Sequence, residues 1–146
     1  MRIEPARPGD LEEVERLLGA HRLPLDGLTA GIVDVFVGRD GDAIVASAGL
    51  EWHGPHALLR SVAVAPGRQG QGLGEAVTRA ALDAAARRQA REVFLLTTTA
   101  EPFFARLGFE AVTRADVPAA LQASVEFTTA CPASATVMRK RLGPAG

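Results

Sequence analysis

One cysteine, one tryptophan, three histidines and no tyrosine occur among the 146 residues. With Cys131 alone, an intramolecular disulfide is impossible, and a cytoplasmic setting is the natural expectation. The histidines are scattered and offer no metal-ligand spacing, so no metal is expected. Without tyrosine, no phenol can serve as a proton donor. Charge of neither sign dominates, since 16 basic and 17 acidic side chains leave a net −1. No basic stripe stands out, and a nucleic-acid partner is not expected. No apolar run approaches membrane-spanning length, and the opening MRIEPARPGD lacks the apolar stretch of a signal peptide, so no membrane role is expected either.

What is present reads as an ordinary globular chain, 47% apolar and 23% charged. Its length suits one domain over 1–146 that buries roughly two-thirds of its unfolded surface, with 143–146 as a frayed tail.

The most informative stretch is Leu58 to Gly74, LLRSVAVAPGRQGQGLG. A β-rich run ends at Ala65-Pro66, a glycine-punctuated turn covers Gln69 to Gly74, and an alanine-rich helix follows. Glycines at Gly70, Gly72 and Gly74 permit positive φ and keep side chains out of the way. Several N–H groups can then point into one concavity at a helix N-terminus, which is a pyrophosphate cradle. Two familiar cradles fail on spacing. A P-loop needs Lys and Ser/Thr after the second glycine of Gly67…Gly72, where Leu73 and Gly74 stand. A dinucleotide fingerprint starting at Gly70 needs a glycine where Glu75 stands.

Along the chain, Arg2 to Glu4 suits a short strand. Asp10 and Glu13 have capping-box spacing before Leu11, Val14, Leu17 and Leu18, which recur at helical period. Gly19 and Pro24 close that helix, and Leu25 to Ala30 suits a second short one. Val33–Gly38 and Ala43–Trp52 read as a hairpin, followed by a strand from His56 to Val64. The central helix is expected over Leu73–Gln89, with Leu73, Val77, Ala80 or Ala81, and Ala84 inward. A strand at Val93–Thr99 follows, then a short helix Pro102–Leu107 stopped by Gly108 as its C′ residue. Phe109–Thr113 suits a strand, Asp116–Ser124 a helix and Ala135–Leu142 the last strand.

The loop resembles the acyl-CoA loop of the GCN5-related N-acetyltransferases (GNAT), whose pattern Q/R-x-x-G-x-G/A matches Gln69, Gly72 and Gly74 after the V-x-V-x-P end of Val62, Val64 and Pro66. The run from Phe103-Phe104 to Gly108-Phe109 is similar to that family's F-Y-x-K-x-G-F signature. The element order agrees, and the resemblance covers essentially the whole chain. It implies an α/β (α+β) fold: a mixed, mostly antiparallel central sheet of six to seven strands with a splayed parallel pair, flanked by helices. The segment Leu95 to Phe104 looks closest to the amino-acid branch, which includes N-acetylglutamate synthases. With Glu126-Phe127 and the run from Cys131 to Ser134, it also resembles small N-acetyltransferases associated with arsenic resistance.

The activity this resemblance implies is acetyl transfer from acetyl-CoA, as cosubstrate, to the primary amine of a small molecule by direct attack in a ternary complex. The backbone of Val62, Ala63 and Val64 would hold the pantetheine and polarise the thioester. The amides of Gln69, Gly70, Gln71, Gly72, Leu73 and Gly74 would carry the pyrophosphate. Arg68 is either a phosphate ligand or a solvated loop charge. An amine near pKa ~10 needs a proton acceptor. Glu51 is the first candidate, with Glu101 and Glu126 after it, while His53 and His56 read as turn residues. Phe104 stands where most family members carry tyrosine, and Thr97 where many carry asparagine. The thiolate would then take its proton from water, Cys131, Ser134 or the Thr97–Thr99 hydroxyls.

For an amino-acid acceptor, Arg60 is the candidate carboxylate ligand, the competing role being an internal salt bridge with Glu51 or Glu126. Thr97, Thr98 and Ser134 are the other candidate substrate contacts, and Arg139 and Arg141 read as surface charges. Glutamate analogues such as arsinothricin or phosphinothricin are the acceptors the subfamily resemblance suggests. A protein or peptide acetyltransferase and a silent acyl-CoA sensor stand as alternatives. Pairing of the last strand into a homodimer stays open.

Overall fold

The computed structural model describes residues 2–20, 33–122 and 135–142. Seven strands among them form one sheet: β1 (Arg2–Pro5), β2 (Val33–Asp40), β3 (Ala43–His53), β4 (His56–Val64), β5 (Glu92–Thr97), β6 (Glu110–Val112) and β7 (Thr136–Arg141). The order across the sheet is β1-β2-β3-β4-β5-β7-β6. Every neighbouring pair is antiparallel except β4 and β5. Helices α1 (Leu11–Ala20), α2 (Leu73–Arg87), α3 (Glu101–Arg106) and α4 (Ala119–Gln122) pack around it, with 3-10 turns at Pro8–Asp10 and Arg114–Asp116. The mixed sheet with one parallel pair is the architecture expected.

Parallel neighbours need a crossover, and α2 supplies it. Its alanines bring the helix close to the sheet, where Val77, Ala81 and Ala85 share a core with Leu50, Leu59 and Leu95. The inward stripe differs from the one expected. Of Ala80 and Ala81 it is Ala81 that is buried, Ala85 rather than Ala84 continues the stripe, and Thr78 and Leu82 widen it. A sheet is a broad partner, so a second row of the helix is covered as well.

The opposite face of the sheet carries two smaller cores. Val14, Leu17 and Leu18 of α1 pack against Val35 and Val37. Leu121 of α4 and Val117 pack against Leu58, Phe94 and Val137.

Helix ends follow local chemistry. Gly108, at φ 97, closes α3 as expected, with Phe109 N–H bonded to Phe104 C=O and Gly108 N–H to Ala105 C=O, the two bonds of a Schellman motif. At the end of α2 the same pair of bonds forms around Gln89, which takes φ 61 without being glycine.

Asp10 and Glu13, spaced as a capping box, work across the fold. The Asp10 carboxylate accepts from Arg7 N–H at 2.7 Å and from the Arg39 guanidinium, while Glu13 accepts from Ile44 N–H at 2.9 Å. Arg39 also donates to Glu4, so one guanidinium ties β1, the first 3-10 turn and β2 together.

Several boundaries shift. β5 ends at Thr97, leaving Thr98 and Thr99 exposed in a bend. Of the helix expected over Asp116–Ser124, the described part is the end of the 3-10 turn at Asp116 and then α4 over Ala119–Gln122, residues 123–124 lying outside the described ones. The helix expected over Leu25–Ala30 and the tail at 143–146 lie outside the described residues.

Candidate active site

β4 and β5 pair only at His56–Glu92, Ala57–Val93 and Leu58–Phe94, although β4 continues to Val64 and β5 to Thr97. The strands therefore part after their first three pairs. On the other side of β4 the pairing with β3 is irregular over the same stretch. Ser47 faces Ala63 and Gly49 faces Arg60, so Ser61 and Val62 together oppose Ala48. This is a β-bulge, which kinks and twists the strand that carries it. Ser61 sits at φ 60, an uncommon conformation for a non-glycine residue.

Main-chain direction past the bulge follows from one bond. Ala65 N–H donates to Val45 C=O at 2.8 Å, so by antiparallel alternation the groups of Ala63 also face β3. Val62 and Val64 alternate with it and face the side from which β5 has departed.

At the end of β4 the chain enters the glycine loop. Gly67, Gly70 and Gly72 take φ of 86, 82 and 80, and open space surrounds the position of a Cβ on each. Gly72 is the N-cap of α2 in the left-handed region, and the first described intrahelical donor is Ala76 N–H, bonded to Gly72 C=O. The N–H groups of Leu73, Gly74 and Glu75 precede it and have no intrahelical acceptor. Gly74 departs from expectation. It is helical and faces β4 and α3, where a Cβ would stand in van der Waals contact, 3.4 Å from Val64 Cγ2 and 3.5 Å from Phe103 Cζ. Arg68 is partly engaged, donating to Asp40 at 2.8 Å and to Gln71 at 3.3 Å.

Arg60, Glu51 and His53 form a polar chain on the α1 and α4 side of the sheet. Leu50 and Leu59 belong to the α2 core, and their alternating neighbours Glu51 and Arg60 face the other way. Arg60 Nη1 donates to Glu51 Oε1 at 3.1 Å, and the arginine side chain is 0% exposed, the glutamate 4%. Glu51 Oε2 lies 2.6 Å from His53 Nε2. The internal salt bridge weighed for Arg60 is therefore present. His53 does more than end the hairpin, because its ring links the buried carboxylate toward the strand end. His56 faces Glu92 at 3.3 Å and stacks edge-on with Phe94.

Other expected site residues are more dispersed. Thr97 alternates with Phe94 and Leu96 and lies on the α2 side, away from Arg60. Its Oγ1 accepts Ala100 N–H at 3.0 Å, anchoring the start of α3. Thr98 and Glu101 are exposed. Phe104 is buried, edge-on to Phe103 and Phe109. Arg139, expected at the surface, is only 16% exposed because it bridges Glu110 at 2.8 Å and Glu92 at 3.7 Å; Arg141 does stand at the surface. Glu126, Cys131 and Ser134 lie outside the described residues.

The residues that sequence reasoning missed are Ser47 and Ser61. A signal existed for the second: Arg60 and Ser61 are consecutive polar residues inside an apolar strand, breaking the two-residue alternation as an inserted residue does. Among the described residues no group of three or more His, Cys, Asp or Glu could hold a metal ion, and no helix is long and apolar enough to cross a membrane.

Residues 32–111, more than half of the chain, match the acetyltransferase (GNAT) domain family. No curated protein matches the sequence. Solved structures share the fold at low identity. Rv2747 from Mycobacterium tuberculosis, in complex with CoA and NLQ, is 23% identical with a TM-score of 0.82, covering 98% of this chain and 100% of its own. N-acetylglutamate synthase from Neisseria gonorrhoeae, complexed with coenzyme A and N-acetyl-glutamate, is 19% identical with a TM-score of 0.81; the match covers 97% of this chain and 35% of the synthase. The ribosomal-protein-S18-alanine N-acetyltransferase from Escherichia coli is 22% identical with a TM-score of 0.76, covering 99% and 96%.

Proposed function

This chain belongs to the GNAT acetyltransferase family, and from that premise we propose that it acetylates the primary amine of a small, carboxylate-bearing amino acid. The observation that carries the cofactor half is the parting of β4 from β5 directly ahead of the glycine loop at the start of α2. The residues fit such a ligand: the loop concavity is lined by glycines with room around them, and donors of the first helical turn face outward from the helix end.

Acetyl-CoA would supply the acetyl group as an activated thioester. Of Val62, Ala63 and Val64, the main chain of Val62 and Val64 would bind the pantetheine arm and offer N–H to the thioester oxygen, a donor fixed before the charge develops, while Ala63 turns its own groups to β3. The amides of Gln69, Gly70, Gln71, Gly72, Leu73 and Gly74 hold the pyrophosphate, and Arg68 adds positive charge at the same mouth. Glu51 takes the amine proton, with His53 beside it as the group through which the proton leaves. Arg60, whose Nη1 holds Glu51, reads the acceptor carboxylate from the same position. Thr97, Thr98, Ser134, Glu126 and Cys131 remain candidates for substrate contact or for protonating the departing thiolate, a task Phe104 cannot perform.

A glutamate-like acceptor is favoured by Arg60 in the site and by the fold shared with the synthase crystallised with N-acetyl-glutamate. Toxic analogues such as arsinothricin or phosphinothricin have the same amine and carboxylate. The test is thiol release from acetyl-CoA against glutamate, those analogues, other amino acids and short peptides. Rapid release with a carboxylate-bearing small amine is expected. Release with peptides alone would replace this assignment by protein acetylation, and binding of acetyl-CoA with no release from any amine would replace it by a sensor.

A further inference from the structure

The left-handed backbone at Ser61 is held in place by three neighbours. Ser47 Oγ, fully buried on β3, donates to Ser61 C=O at 2.7 Å. Arg60 Nε donates to Ser61 Oγ at 3.3 Å. Gly49 leaves the space opposite, where a Cβ would stand 3.4 Å from Arg60 O and 3.6 Å from Ser61 Cβ. A non-glycine residue at φ 60 persists only where its surroundings over-determine it. The position matters. In the register of the three parallel pairs, Ser61 would face Thr97, and the ladder has ended before that point.

We propose that Ser47 is a positioning residue whose hydroxyl locks the β4 bulge at Ser61, and that this lock keeps β4 and β5 apart and aims the main chain of Val62 and Val64 into the slot. The inference rests on the proposed function for the identity of the slot's occupant. Without the Ser47 hydroxyl, the Ser61 carbonyl is left buried without this donor, and the extended conformation common to strands becomes the lower state. β4 then straightens toward β5 and the slot narrows. Glycine at 61 would remove the penalty on positive φ and make the lock unnecessary.

The experiment compares the wild type, S47A and S47A/S61G. The 13C shifts of Ser61 report its backbone conformation, and calorimetry with CoA reports the slot. In S47A, Ser61 is expected to move to strand-like shifts and CoA affinity to fall about tenfold, the loss of one net hydrogen bond's worth of organisation. S47A/S61G is expected to recover most of that affinity. Ser61 shifts unchanged in S47A would overturn the lock. Strand-like shifts with undiminished CoA affinity would overturn its connection to the slot. Should S47A not fold, recovery of the fold in S47A/S61G supports the lock and its absence overturns it. A wild type that does not bind CoA would refute the proposed function, and Ser61 shifts alone would then decide the lock.

Discussion

Arg60 and Glu51 meet across the β3–β4 ladder, Nη1 to Oε1 at 3.1 Å, with both side chains withdrawn from water. Burying two charges costs several kcal/mol per ion by desolvation, and attraction between them offsets this only with good geometry. Such a pair is weak evidence for stability.

Arg60→Met is therefore expected to destabilise the protein by about 3–5 kcal/mol, because it takes the charged partner from a buried carboxylate. It should raise the amino-acid KM by the larger factor and, through the lost Nε bond to Ser61, the acetyl-CoA KM by a smaller one. Arg60→Met combined with Glu51→Leu should regain most of the stability and none of the activity. Urea unfolding and steady-state kinetics on the same three proteins check this. Equal changes in both KM values would remove Arg60 from the acceptor site.

Gly72→Val should cost about 1–2 kcal/mol, since a side chain is forced to φ 80 at the N-cap of α2. If the loop cradles a pyrophosphate, CoA affinity must fall with it. A thermal shift in free protein, with and without CoA, separates the two effects. Loss of stability with an unchanged response to CoA would place the phosphates elsewhere.

Acid stability should depend on Arg39. The Arg39 hydrogen bond is the main cause holding the Glu4 carboxyl below its ordinary range, and Arg7 N–H followed by Arg39 does the same for Asp10. Carboxyls depressed in the folded state stabilise it above their unfolded values, near pH 4, and that contribution disappears as pH falls through the folded values. Arg39→Met removes most of the effect on Glu4 and part of that on Asp10. Its unfolding free energy should therefore fall less steeply than that of the wild type as pH drops below 5. Parallel acid limbs would refute the assignment.

Thr78 Oγ1 is buried on α2 with no hydrogen-bond partner among the described residues. A buried hydroxyl without a partner costs on the order of 1–3 kcal/mol. Thr78→Val, nearly equal in shape, should raise the urea midpoint by the equivalent of about 1 kcal/mol. A lower midpoint would show that the hydroxyl is satisfied by a bond this structure does not contain.

What the sequence disclosed was what depends on near neighbours. The glycine loop, the helix after it, the C′ role of Gly108 and the succession of strands and helices along the chain all rest on chemistry within a few residues, while the sheet they form was implied by the family resemblance. The Arg60–Glu51 bridge was one of two roles open to Arg60, and only the register of β3 on β4 brings it to the page. Glu13, Arg39, Ser47 and Arg139 escaped because each finds its partner 14 to 35 residues away along the chain. Gly74 shows the limit from the other side. It lies in the first turn of α2 beside Val64 and Phe103, and the positive φ of the loop belongs to Gly67, Gly70 and Gly72 instead.

The glycine loop leads into the helix on one face of the sheet, whereas Arg60, Glu51 and His53 stand on the other. In the proposed reaction the sheet is thus a partition with a slit in it, and the two reactants approach from opposite rooms. Neither has to wait for the other to clear a shared doorway.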